Sequence, residues 1–205
     1  TDYGIYNVVG GVVSMFTMIS GALNSAVSRF IAFELGKGES QQLNRVYSTS
    51  VNIQLLLAVI VVLMVEPVGL WFIRNKMTID PSRIPAAIHV LQFSLLAFVV
   101  NLMSVPQMAS ITAHEKMSAY AYIGVLDGML RLGVAFLILR SPTDRLVYYA
   151  MLMAAAVIVV RMTYGIYCRV HFKECRYRFV FDKALLKEMF SFAGWNFIGV
   201  TSGTL

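Results

Sequence analysis

Charge is scarce in this sequence: Asp, Glu, Lys and Arg together make 14% of 205 residues, where a soluble domain carries about 25%. That scarcity excludes a disordered chain held open by charge and argues against a soluble enzyme with a polar surface. Cysteine is nearly absent as well; Cys168 and Cys175 are too few for a disulfide framework. The chain has no Gly-rich phosphate loop with a lysine, no His-Glu-x-x-His and no nucleophile elbow. It also lacks any loop long enough to hold a catalytic domain, since the longest connector, 168–188, is about twenty residues. An enzyme is therefore not expected. No signal peptide is visible, and a chain opening on Thr1 and closing on Leu205 within an uncharged run reads as a piece of a longer protein.

What is present is apolar. Hydrophobic side chains make up 58%, with 12 Met, 13 Phe and 10 Tyr, and the mean hydropathy is +0.70. At about 20 residues per span this predicts five full transmembrane helices and part of a sixth, in an all-α polytopic bundle. The spans fall at about 3–33, 46–73, 84–113, 117–139 and 146–167, with a cut-short sixth beginning at Met189. Without water in the hydrocarbon these runs must close their own hydrogen bonds as helices; a barrel would need ten-residue alternating strands. Pro106 should kink the third span.

Sorted by alternating loops, the basic residues are uneven. Ten lie on one side, among them Arg29, Lys37, Arg45, Lys116, Lys173, Arg176 and Arg178; five lie on the other, Arg74, Lys76, Arg83, Arg140 and Arg145. Positive residues gather in cytoplasmic loops, so the ten-residue side is read as cytoplasmic, and the net charge of +6 needs no nucleic acid to explain it.

Ionisable residues at bilayer depth cost about 2.5–3.5 kcal/mol on insertion scales and ask for a partner or a wet cavity. Asp127 and Arg131 straddle the midpoint of the fourth span at i,i+4 spacing, which lets them pair. They are either a charged cavity wall or a structural pair that eases insertion. Arg161 either lines the cavity or snorkels to headgroups. Asn24 belongs to a stripe with Ser20 and Ser28 that serves helix packing or lines a polar path. Glu66 beside Pro67 reads as an interface residue. Cys168, His171 and Cys175 match no zinc spacing, so no metal is expected, and His114 with Glu115 reads as a solvated loop pair. Phe181–Phe190 has the pattern of an amphipathic surface helix behind a basic run that suits anionic lipid or serves as a positive linker.

Particular residues carry a family likeness. Asp2-Tyr3-Gly4-Ile5-Tyr6, Arg29-Phe30 with Glu34-Leu35-Gly36-Lys37-Gly38, Ala113-His114-Glu115-Lys116, and Phe192-Ala193-Gly194-Trp195 resemble bacterial polysaccharide flippases. These belong to the multidrug/oligosaccharidyl-lipid/polysaccharide exporter superfamily. The resemblance implies a two-lobe transporter of twelve or more helices in the bacterial inner membrane. On that mapping, residues 1–168 are helices two to six of the N-terminal lobe, 169–188 a basic cytoplasmic linker, and 189–205 the start of the C-terminal lobe. It implies as substrate an undecaprenyl-diphosphate-linked oligosaccharide, with membrane lipids as partners, a coupling cation as a further candidate and no cofactor. From position and charge, Arg131, Asp127, Asn24 and Arg161 are the candidate substrate-binding residues. The alternatives are a cation-coupled multidrug exporter of the same superfamily and, in a different class, a structural membrane subunit.

Overall fold

The computed structural model describes residues 21, 24–38, 40–75, 83–140, 144–178 and 191. Six α-helices organise them: α1 (residues 24–37), α2 (Ser40–Asn75), α3 (Ile84–Met103), α4 (Val105–Ala113), α5 (Met117–Leu137) and α6 (Arg145–His171). Four stretches are long and apolar enough to cross a membrane: Gln41–Asn75, Ile84–Ala113, Met117–Leu137 and Arg145–His171. They correspond to the second to fifth expected spans. Most of the first span, the sixth, the segment Phe181–Phe190 and the motifs at 2–6 and 192–195 lie outside the described residues.

Two helices outrun the apolar runs that announced them. α2 begins at Ser40 rather than Val46, because Ser-Gln-Gln-Leu-Asn-Arg contains no breaker and its polar groups can stand beyond the hydrocarbon. It also carries Pro67 in its interior without ending there. At 36 residues it is about 54 Å long, well beyond the roughly 30 Å of bilayer core. α6 runs to His171, so the first three residues of the expected linker are its last turn.

Helix ends follow local chemistry. Gly38 takes φ 75°, the left-handed conformation that closes α1, and its N–H donates to Leu35 O at 3.1 Å. The kink expected at Pro106 separates α3 from α4 at Ser104, two residues earlier. Proline has no N–H to offer Leu102 O in the preceding turn, and at the break both the N–H and Oγ of Ser104 donate to Asn101 O, at 3.2 and 2.7 Å.

Two contacts establish which helix ends meet. Arg83, at the start of α3, donates from Nη1 to Asp144 Oδ2 at 2.6 Å, while Asp144 Oδ1 caps α6 by accepting from Leu146 N–H at 3.1 Å. At the opposite end, Asn44 Nδ2 donates to the carbonyls of Glu174 and Arg176 at 2.8 and 2.7 Å, joining the start of α2 to the segment after α6. The spans therefore alternate in direction, as the loop sorting requires.

Packing is divided among three apolar clusters. Val61 and Val65 of α2, Val90, Leu91, Leu95 and Phe98 of α3, and Ala150 of α6 form the first. Ala26, Val27 and Ile31 of α1 meet Val46 and Ile53 of α2 and Ala109 of α4 in the second. Tyr47, Ile111, Ile123, Val160, Tyr164 and Cys168 build the third, toward the basic end. Lipid tails are as apolar as leucine, so close contact between backbones carries more of the cohesion than burial from water does. Gly69 shows how close: a Cβ there would stand 2.7 Å from Leu91 Cδ2.

Candidate functional site

α5 is the least covered span among the described residues. Ala119, Ile123 and Val134 are buried, one face at helical spacing, whereas Tyr122, Val125, Met129, Leu132 and Phe136 are bare. Asp127 follows Ile123 by four residues and so lies beside the packed face. Arg131 stands one turn further on. Its Nε donates to both oxygens of Asp127 at 3.1 Å, closing the pair the spacing suggested. The side chains are 53% and 32% exposed. Asp127 is residue 11 of the 21 in α5, halfway along a helix about 30 Å long. A half-open ion pair at that depth is suited to a water-filled or protein-covered surface and ill suited to lipid.

α6 contributes the third charge. Arg161 is partly buried and lies within electrostatic reach of Asp127, Arg131 and Tyr120 on α5. Its Nη1 is 3.0 Å from Met108 Sδ on α4, and its guanidinium lies 5.5 Å from the ring centre of Tyr164. Arg161 Nε is buried without a hydrogen-bond partner. Thioether sulfur is a weak acceptor, so this cation is held in place while keeping unused donor capacity. Beside it runs a groove lined by Val100, Ser104, Gln107, Arg161, Gly165 and Arg169.

Of the four candidate residues, Asp127, Arg131 and Arg161 are thus gathered along the α5–α6 pair. Asn24 is on α1, the helix that packs on α2 and α4; it is half-buried, and its Oδ1 is enclosed without a hydrogen-bond partner. Glu66 is exposed on α2. Cys168 and Cys175 are buried free thiols, whereas His171 is exposed and stacks on Tyr167 with ring centres 4.1 Å apart, so the three do not converge.

A buried polar seam adds residues that the charge pattern does not single out. Tyr47, Ser50 and Gln54 recur at helical spacing on α2 and are buried there, and both amide atoms of Gln54 lack partners. The Gln107 side chain on α4 reaches the Tyr47 hydroxyl. The signal was available in the uncharged run of α3 and α4, where Asn101, Ser104, Gln107 and Ser110 recur every three residues. His114 also differs from its expectation as a solvated partner of Glu115. Its Nε2 lies 2.9 Å from Glu174 Oε1 and its ring stacks on Phe172 at 4.1 Å.

No curated protein and no solved structure matches the chain. A family model described as polysaccharide biosynthesis protein matches residues 1–205. A membrane-spanning helical bundle accords with that match, and the chain belongs to the polysaccharide biosynthesis protein family.

Proposed function

We propose that the chain is part of a flippase that carries an undecaprenyl-diphosphate-linked oligosaccharide from the cytoplasmic to the outer leaflet of the bacterial inner membrane by alternating access. The observation that carries this reading is the Asp127–Arg131 pair, half open at the middle of a span. A passing diphosphate needs cations that it can meet without a large desolvation cost, and Arg131 and Arg161 offer two along one helix pair. The glycan needs hydrogen-bonding walls, which the buried polar groups of Asn24, Gln54 and Gln107 can supply. Family membership supports the same direction, since a polysaccharide assembled on a lipid carrier inside the cell must cross the membrane.

A cation-coupled drug exporter would need a free carboxylate at depth. Both oxygens of Asp127 accept from Arg131, which favours the flippase. The test is a reconstituted flipping assay with the full-length protein. Lipid-linked oligosaccharide should move between leaflets faster than in protein-free vesicles; a rate equal to that of the protein-free vesicles would refute the proposal.

A further inference from the structure

The segment after α6 is bound to the bundle rather than hanging from it. Phe172 and Cys175 are buried, Asn44 donates to the carbonyls of 174 and 176, Arg178 N–H donates to Ser48 Oγ at 3.1 Å, and Tyr177 OH donates to Asn52 Oδ1 at 2.8 Å. It therefore runs beside the first turns of α2 with its backbone fixed at 174, 176 and 178. Arg176 is extended, with φ −84° and ψ 108°. In extended chain alternate side chains share a face, so Arg176 and Arg178 stand on one face of the segment, where both border a pocket shared with the start of α2.

A pocket opens there, lined by Gln41, Asn44, Lys173, Glu174, Arg176 and Arg178. Lys173, Arg176 and Arg178 are exposed, and among the described residues none of the three has an ion pair. The one acidic lining residue, Glu174, is mostly buried, with Oε1 2.9 Å from His114 Nε2. Within α2 itself the first turn contains no acidic residue. α6, at 27 residues or about 40 Å, exceeds the hydrocarbon core, which sets residues just past its end at headgroup depth.

We infer that this pocket binds a phosphate group, presented by an anionic phospholipid headgroup or as free phosphate, through Lys173, Arg176 and Arg178. This site is on the α2 side of the post-α6 segment and uses none of the residues assigned to transport, so it stands or falls independently of the flippase reading.

The experiment compares two double variants of equal charge change in the intact protein in detergent: R176Q/R178Q, and R45Q/K116Q at the same end but outside the pocket. Binding of phosphatidylglycerol and of phosphatidylcholine is read by native mass spectrometry, and binding of inorganic phosphate by calorimetry without lipid. Loss of two cations at about fivefold each should weaken phosphatidylglycerol binding about 25-fold in R176Q/R178Q. R45Q/K116Q should stay within about threefold of wild type, a margin set by weak electrostatics at a distance. The arginine-to-lysine double variant R176K/R178K should retain part of the binding, which separates charge loss from misfolding. Phosphate heat in the absence of lipid assigns the site to free phosphate; its absence alongside phosphatidylglycerol binding assigns it to the headgroup. Equal losses in both double variants, or no preference for phosphatidylglycerol over phosphatidylcholine with no phosphate heat, would overturn the inference.

Discussion

His114 Nε2 and Glu174 Oε1 lie 2.9 Å apart across sixty residues of sequence, a contact that ties the turn between α4 and α5 to the segment that follows α6. The other ring nitrogen of His114 lies 2.9 Å from Ser110 O, so both nitrogens face oxygens. Neither side chain is more than about a fifth exposed, which limits screening. A double-mutant cycle with His114→Ala and Glu174→Ala, read by thermal unfolding in detergent, should give a coupling of about 1–3 kcal/mol. A coupling near zero would mean that Phe172 packing alone holds the segment.

The same turn contains a residue in a conformation that its side chain disfavours. Glu115 has φ 56°, and its N–H donates to Thr112 O while Lys116 N–H donates to Ile111 O. A left-handed non-glycine residue costs about 1–2 kcal/mol relative to glycine. Glu115→Gly should therefore hold or raise the unfolding temperature, whereas Glu115→Val should lower it. The opposite order would show that the carboxylate, and not the backbone, decides this position.

Gly69 tests the approach of α2 to α3. An added Cβ meets only the end of the Leu91 side chain, 2.7 Å from Cδ2, but Leu91 is itself buried and has little room to turn. Gly69→Ala should reduce membrane abundance modestly and Gly69→Leu severely, the latter by overpacking of about 1–3 kcal/mol or more. Combining Gly69→Ala with Leu91→Ala should recover part of the loss.

Orientation can be read by chemistry. In a background with Cys168 and Cys175 replaced by alanine, single cysteines at Lys116 and Arg178 should be shielded from an impermeant thiol reagent in intact cells. One at Arg145, exposed at the opposite end, should react. Labelling of Arg178 from outside would reverse the assignment of the basic end to the cytoplasm.

Much of this architecture was legible because lipid leaves the chain few options. Uncharged runs had to be helices, and their lengths placed the middle spans to within a few residues, apart from the first turn of α2 and the last of α6. Those turns are polar, so no apolar run announces them, and each makes a contact elsewhere in the bundle. Asn44 holds the returning segment, and Cys168 is buried with its thiol donating to Gln107 O at 3.3 Å. Periodicity cannot report such partners. The Asp127–Arg131 pair was legible for the opposite reason, since both members lie on one helix and four residues settle their geometry. Glu174 as partner of His114 was not legible, because no local rule links residues sixty apart.

The most direct measurement sets Arg131 as a substrate ligand against Arg131 as a structural partner. In the full-length protein, Arg131→Gln leaves Asp127 without its cation at mid-membrane, while Arg131→Gln with Asp127→Asn leaves no charge to balance. If the pair served insertion alone, the single variant would lose about 3–5 kcal/mol until the carboxylate took up a proton, and the double variant would recover. The measurement is membrane abundance together with surface polysaccharide for wild type, both single variants and the double. A substrate role for Arg131 predicts that the double variant reaches wild-type abundance and still makes no surface polysaccharide. Wild-type polysaccharide from the double variant would contradict it.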